Sequence, residues 1–307
     1  MRSHWRVVLG GLAAAVVAGF IVRTFLRNWG EFTHTPLELE LHPAWIVASA
    51  LLVWSAYGVL IWAWRGLAAS WAPPLPPGES ARIWAVSSLG KYVPGKVWAF
   101  AGMAVLAQRA GMPGWAATGA ALLMQALALA TGALVIAVCG TAALEAAHPG
   151  ARLVLLLLAI ASLAGAALAA WPPLATRLLA RLAGPGEVPG PPGLGALMSG
   201  AAANLAAWLG YGAALWCLAR GILGEARLPF AAAAGAFAAS YLAGVLALFA
   251  PGGLVVREAL FIVLLQPVLG LPRATALAVA SRLLLTFTEV GIALPFLATR
   301  RRVGVQS

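Results

Sequence analysis

The chain has 307 residues, of which 62% are hydrophobic and 9% are charged, whereas about a quarter of the residues in a soluble globular protein are charged. This composition and a mean hydropathy of +0.92 exclude an ordinary soluble protein. They predict an all-α, polytopic membrane protein with one integral membrane domain over 1–307. The formal charge of +11 comes mainly from Arg residues between apolar segments, as is typical of membrane proteins, so we expect no nucleic-acid partner.

Six segments are predicted to span the membrane: 7–27, 44–64, 114–140, 152–171, 197–219 and 273–297. Two further apolar regions, 80–110 and 230–269, are interrupted by Val93-Pro94-Gly95-Lys96 and by Ala250-Pro251-Gly252-Gly253. Proline removes a helix donor and glycine permits positive φ, so each region is predicted to form a broken or re-entrant helical hairpin. Region 230–269 is also long enough for two full crossings, which would return the chain to the same side.

The distribution of Arg residues predicts the orientation of these segments. Most Arg residues fall in loops that are cytoplasmic if the N-terminus is cytoplasmic, and both termini are then inside. The first hairpin then opens from the cytoplasm and the second from the outside. Because each hairpin is followed by Gly-x-Pro and a full span, 80–140 and 230–297 are predicted to form a pseudo-inverted repeat, as in many transporters.

The ionisable residues argue against catalysis within the membrane. All nine acidic residues are Glu, and the four His residues lie outside the predicted spans. Neither a Ser-His pair nor a metal site is therefore expected in the membrane, so we predict no enzyme activity, no catalytic residue, no metal and no cofactor.

The first Pro-Gly turn contains the only two lysines of the chain, Lys91 and Lys96. Two ammonium groups beside the free N–H groups of a helix start suit a phosphate, so we predict that both lysines bind a lipid headgroup at the cytoplasmic side. The alternative is that both lysines are ordinary anchors that reach the membrane surface.

The second Pro-Gly turn is followed by Arg257 and Glu258, and the last span contains Arg282 and Glu289. Adjacent helical residues point about 100° apart, so Arg257 and Glu258 each need another partner. We predict the pairs Glu258–Arg282 and Arg257–Glu289. Ionisable residues in spans are functional candidates by default, although a purely structural charge network is an equal alternative.

Two segments carry a resemblance to a known family: Ser88-Leu89-Gly90-Lys91-Tyr92-Val93-Pro94-Gly95-Lys96 and Ala250-Pro251-Gly252-Gly253-Leu254-Val255-Val256-Arg257-Glu258. With the Arg and Glu of the final span, the chain from about 80 to 297 resembles the membrane domain of the lysylphosphatidylglycerol synthase family, a group of flippase-like proteins. One departure is Leu254-Val255-Val256, where the family pattern leads us to expect a glycine. The chain ends ten residues after Leu297, so we expect no aminoacyltransferase domain.

The resemblance implies transport of lipids between leaflets. The expected function is a flippase for a charged-headgroup lipid, either a modified phospholipid or a polyprenyl-phosphate-linked glycolipid, in a bacterial-type inner membrane. The alternative is a non-transporting protein that binds lipid or scaffolds a membrane-bound biosynthetic enzyme. The predicted substrate-binding residues are Lys91, Tyr92, Pro94, Gly95, Lys96, Pro251, Gly252, Gly253, Arg257, Glu258, Arg282 and Glu289.

Overall fold

A computed structural model describes residues 39–92, 97–140, 149–170, 190–224, 228–247, 253 and 255–298. These residues form α-helices and no β-strand, which confirms the predicted all-α class. The helices are α1 (Pro43–Ala68), α2 (Pro77–Ser88), α3 (Trp98–Arg109), α4 (Gly114–Val135), α5 (Pro149–Ala170), α6 (Leu194–Leu223), α7 (Phe230–Leu246), α8 (Val256–Leu269) and α9 (Leu271–Ala298). A 3₁₀ turn, Leu89–Tyr92, follows α2, and a π-helical turn, Ile136–Gly140, extends α4.

Four helices are long and apolar enough to cross a membrane: α1, α4 with its π-helical turn, α6 and α9. They coincide with the predicted spans 44–64, 114–140, 197–219 and 273–297. The predicted span 152–171 coincides with α5, and the predicted span 7–27 lies outside the described residues. The protein is therefore a helical membrane protein, as its composition indicates.

Small residues allow the central helices to approach each other closely. A Cβ atom added at Gly212 of α6 would lie 2.7 Å from the Cβ of Ala234 in α7, and one added at Gly132 of α4 would lie 2.8 Å from Leu242. Within a membrane, helices gain stability from such close van der Waals packing because lipid chains are as apolar as the side chains. Helix α6 thus packs against α1, α4 and α7 at the centre of the bundle.

The first broken region forms a hairpin of α2 and α3 that begins and ends beside the same end of α1. The Arg65 side chain near the C-terminus of α1 donates a hydrogen bond from Nε to the Leu75 carbonyl, 2.6 Å away, just before α2. After α3 the chain returns to the same end of α1. There the ring of Trp71, just after α1, lies 5.9 Å from the ring of Trp115 at the start of α4. The hairpin therefore enters and leaves the bundle at one face.

The second broken region, α7 and α8, opens at the opposite face. The backbone N–H of His42, just before α1, donates to the Gly221 carbonyl at 2.9 Å, so α6 ends where α1 begins. Helix α9 also starts at this face and runs parallel to α1, because Ile46 and Ala280 line one groove and Trp54 Nε1 bonds the Thr288 carbonyl deeper in the bundle. Helices α2–α4 and α7–α9 thus repeat one order of two short helices and a long one, in opposite directions.

Candidate functional site

The carboxylate of Glu289 in α9 lies near the middle of the bundle's depth. It accepts a hydrogen bond at Oε1 from the Tyr57 hydroxyl, 2.9 Å away. Tyr57 is fourteen residues after the start of α1 and eleven before its end, or about 21 and 16 Å at about 1.5 Å per residue. The surroundings of Glu289 are therefore about as far from one face as from the other.

The tip of the first hairpin reaches this depth and supplies two more donors to Glu289. Lys91 Nζ forms an ion pair and hydrogen bond with Oε1. The Tyr92 hydroxyl donates to Oε2 at 2.6 Å. Glu289 is only 6% exposed, and a buried carboxylate is stable only when paired and hydrogen-bonded in this way. Lys91 thus lies at mid-depth of the bundle and not at the cytoplasmic side where the sequence predicts it, because the 3₁₀ turn carries the first tip inward to α9.

The predicted pair of Glu258 with Arg282 is present at the tip of the second hairpin. Arg282 Nε lies 3.8 Å from Glu258 Oε1. The other carboxylate oxygen of Glu258 accepts the backbone N–H of Val255 at 2.8 Å, which satisfies a donor at the start of α8. This pair links the second tip to α9, as the Lys91–Glu289 pair links the first tip to the same helix.

The predicted pair of Arg257 with Glu289 is wrong. The Arg257 guanidinium lies over two rings of α7, with 5.1 Å to the Phe237 centroid and 5.5 Å to the Tyr241 centroid. The place beside Glu289 is taken by Lys91, which comes from the other hairpin. Arg257 is 7% exposed, and no carboxylate oxygen of the described residues lies within 4.0 Å of it.

All four tyrosines of the chain lie around these charges. Tyr57 and Tyr92 bond Glu289, and Tyr211 of α6 lies 6.2 Å from the Tyr57 ring and 5.2 Å from Phe237. Phe237 in turn stacks with Tyr241 at 6.2 Å. Sequence reasoning missed Tyr57 and Tyr211 as site residues. Their positions in the middle of apolar spans were the available signal, since a buried tyrosine hydroxyl usually finds a polar partner.

We call Lys91, Tyr92, Arg257, Glu258, Arg282 and Glu289 the hairpin-tip cluster. Its five ionisable charges comprise three cations and two carboxylates, which gives a formal charge of +1. Electrostatic interactions are strong where water is scarce, so an excess cation at this depth favours an anionic ligand. The arrangement can therefore bind an anion between the two tips.

The second tip depends on an unusual backbone conformation. Gly253 has a φ of +70°, and Val255 has a φ of +74°. A Cβ added at Gly253 would meet Gly244 Cα of α7 at 2.7 Å. Positive φ is strained for a β-branched residue, so Val255 occupies a position that favours glycine. This position falls within the three residues where the family pattern led us to expect a glycine.

The structure brings together Lys91, Tyr92, Arg257, Glu258, Arg282 and Glu289 and places Gly253 beside them. The other predicted site residues, Pro94, Gly95, Lys96, Pro251 and Gly252, lie outside the described residues. The part of the chain that the structure describes holds no group of three or more His, Cys, Asp or Glu residues suited to a metal ion.

No protein-family model matches the chain, and no curated protein is significantly similar to it. The resemblance to the lysylphosphatidylglycerol synthase membrane domain stays a prediction. The function must therefore be argued from the chemistry of the hairpin-tip cluster.

Proposed function

We propose that the protein moves a lipid with a charged, phosphate-containing headgroup between the two leaflets and that the hairpin-tip cluster binds this headgroup. The observation that carries the proposal is Arg257, a buried guanidinium at mid-depth held over aromatic rings, with no carboxylate of the described residues within 4.0 Å. An unpaired buried cation is costly, and an anionic ligand offsets that cost.

The chemistry of the cluster suits phosphate. A guanidinium offers planar, paired donors that match phosphate oxygens, and an ammonium adds a compact point charge. Arg257 supplies the guanidinium from the second hairpin, and Lys91 supplies the ammonium from the first hairpin. Both interactions lie in a region of low dielectric constant, where charge-assisted hydrogen bonds are strongest.

A groove on the bundle supports a lipid rather than a soluble anion. It has a volume of about 420 Å³ and runs between α1, α6 and α9, lined by apolar side chains such as Ile46, Leu218, Leu283 and Phe287. Its deep end is formed by Trp54 and Thr288, and Thr288 is adjacent to Glu289. An acyl or prenyl chain in this groove would place the attached headgroup beside the cluster.

The connections of α9 suggest how the headgroup site is opened to each face in turn. The first tip is tied to α9 by Lys91–Glu289 and the second by Arg282–Glu258. Because the hairpins enter from opposite faces, release of one pair opens the site to one side while the other pair stays closed. A headgroup that replaces one partner of a pair binds the open state more tightly than the closed state. This difference in affinity is what drives a change between two conformations.

The proposed location is a bacterial-type inner membrane with both termini in the cytoplasm. A protein that only holds lipid, or presents it to a biosynthetic enzyme, would bind the headgroup at the same cluster without moving it. Lipid binding and lipid movement are therefore measured separately.

The binding test compares two arginines that are both held by aromatic rings. Arg257→Gln changes the cluster, and Arg220→Gln is the matched control, because the Arg220 guanidinium lies 3.7 Å from the Trp216 centroid at the end of α6, outside the cluster. Native mass spectrometry of purified protein should show phospholipid or prenyl-phosphate adducts on the wild type and on Arg220→Gln, and at least tenfold fewer on Arg257→Gln. Equal adducts on both variants would contradict the headgroup site.

A further inference from the structure

We propose that Glu289 takes up one proton when the cluster binds a phosphomonoester lipid, whose headgroup carries two negative charges. This inference rests on the proposed headgroup site and adds the coupling ion. The geometry behind it is the shared use of Lys91, which is the partner of Glu289 in the structure and the nearest ammonium for a phosphate between the tips.

The polar groups around Glu289 come from every part of the bundle that meets it. They are Tyr57 of α1, Lys91 and Tyr92 of the first tip, Tyr211 of α6, Tyr241 of α7, Arg257 and Glu258 of α8, and Arg282 of α9 itself. Among these groups only Lys91 forms an ion pair with Glu289. Arg282 is paired with Glu258, and Arg257 lies over Phe237 and Tyr241.

The two charges of a phosphomonoester need both Arg257 and Lys91, so its binding leaves Glu289 without its cation, whereas the single charge of a phosphodiester is met by Arg257 alone. A buried carboxylate that loses its partner becomes neutral by protonation rather than remaining charged. The neutral acid still fits its surroundings, because the Tyr57 and Tyr92 hydroxyls accept as well as donate hydrogen bonds. The cluster thus has a stable second state in which Lys91 is paired with the ligand and Glu289 is protonated.

The charge balance determines which class of ligand brings a proton with it. The empty cluster has a formal charge of +1, counting Lys91, Arg257 and Arg282 against Glu258 and Glu289. A phosphomonoester dianion brings it to −1, and one proton on Glu289 brings it to zero. A phosphodiester carries one negative charge and reaches zero without a proton. The loaded site is therefore neutral with either a protonated phosphomonoester complex or an unprotonated phosphodiester complex, and only the former moves a proton.

The proton comes from water at the open face and returns to water when the ligand leaves. Tyr92, which donates to Glu289, is 36% exposed and also lies within 3.5 Å of the Thr286 hydroxyl. This side of Glu289 gives the proton a route that does not cross the Tyr57–Tyr211 core. Lipid and proton then travel in the same direction, one proton for each lipid.

The test counts protons during binding. Farnesyl phosphate, a phosphomonoester, and dihexanoyl phosphatidylglycerol, a phosphodiester, are titrated into the detergent-purified protein by calorimetry. The titrations use buffers with different ionisation enthalpies at a pH of about 8, above the second phosphate pKa of about 6. We expect one proton taken up with farnesyl phosphate and none with the diester. Affinity for farnesyl phosphate should fall about tenfold for each pH unit above this value.

Two variants locate the proton. Glu289→Gln should bind farnesyl phosphate without proton uptake, and Glu79→Gln, which alters a partly exposed pair with Arg82 outside the cluster, should behave as wild type. Wild-type binding of farnesyl phosphate without proton uptake, or uptake that persists in Glu289→Gln, overturns the coupling and leaves the headgroup site intact. Failure of both probes to bind the wild type overturns the headgroup site itself.

Discussion

The ion pair of Lys91 and Glu289 gives a quantitative prediction about stability. Lys91→Met removes the ammonium but keeps an unbranched side chain, and Glu289→Gln removes the carboxylate charge while keeping the shape. Each single change leaves the other charge without its partner, whereas the double change removes both charges. We therefore expect each single variant to be less stable than the double variant.

The magnitude follows from the contacts of Glu289. Breaking a buried pair by removing one partner costs about 3–5 kcal/mol, and here Glu289 is buried while the Lys91 side chain is 34% exposed. In Lys91→Met the Glu289 carboxyl keeps its hydrogen bonds with Tyr57 and Tyr92 and can become neutral by taking up a proton, which limits the cost of the lost partner. The loss should therefore be near the lower end, about 3 kcal/mol. Because the double variant removes both charges, the double-mutant cycle should give a coupling energy of about 2 kcal/mol or more.

Reversible unfolding by SDS in mixed micelles, followed by tryptophan fluorescence, measures these free energies for wild type, both single variants and the double variant. The same cycle on Glu79 and Arg82, a partly exposed pair within one helix with Arg82 Nε 2.7 Å from Glu79 Oε2, is the control and should give a coupling below about 1 kcal/mol. Additive losses at Lys91 and Glu289, with a coupling below about 0.5 kcal/mol, would refute the ion pair between them.

Three further predictions concern the hairpins. Val255→Gly should raise the free energy of unfolding by about 1 kcal/mol, because Val255 has a φ of +74° and is 37% exposed. Val256→Gly, at the first residue of α8, should instead lower it by about 0.5 kcal/mol, and a loss in both variants would contradict the strained turn. Gly253→Ala should reduce folded yield far more than Gly111→Ala, since both glycines have positive φ but only Gly253 faces a close neighbour, Gly244; equal yields would argue against that close contact. Single cysteines at Gly78 and Arg109 should be labelled from one side of the membrane and those at Pro229 and Arg273 from the other, on a background without Cys139 and Cys217, and labelling of all four from one side would contradict the opposed hairpins.

Much of the fold can be predicted from local sequence. A run of about 20 apolar residues indicates a helix long enough to span a membrane, and this pattern predicted α1, α4, α6 and α9. The Pro-Gly interruptions predicted both hairpins because proline and glycine act on their own backbone. The pair of Glu258 with Arg282 was also accessible, since the two residues lie equally far before and after Gly270, where α8 ends and α9 begins, and so at a similar depth.

The site was less accessible because it depends on contacts between distant segments. Lys91 and Glu289 are 198 residues apart, and no local pattern shows that the first tip reaches the depth of α9. The incorrect pair Arg257–Glu289 came from assuming that the second hairpin supplies every partner for the last span. Tyr57 was missed for the same reason, since its bond to Glu289 crosses 232 residues of sequence.

The most direct test of the account is lipid movement by the reconstituted protein. Phosphatidylcholine vesicles with a trace of NBD-labelled phosphatidylglycerol are exposed to dithionite, which quenches only the outer leaflet. Vesicles with wild type or Arg220→Gln should lose nearly all fluorescence, whereas empty vesicles and those with Arg257→Gln should lose about half, the share of one leaflet. Loss of only half the fluorescence with the wild type, despite lipid binding, would contradict transport and leave a protein that holds lipid without moving it.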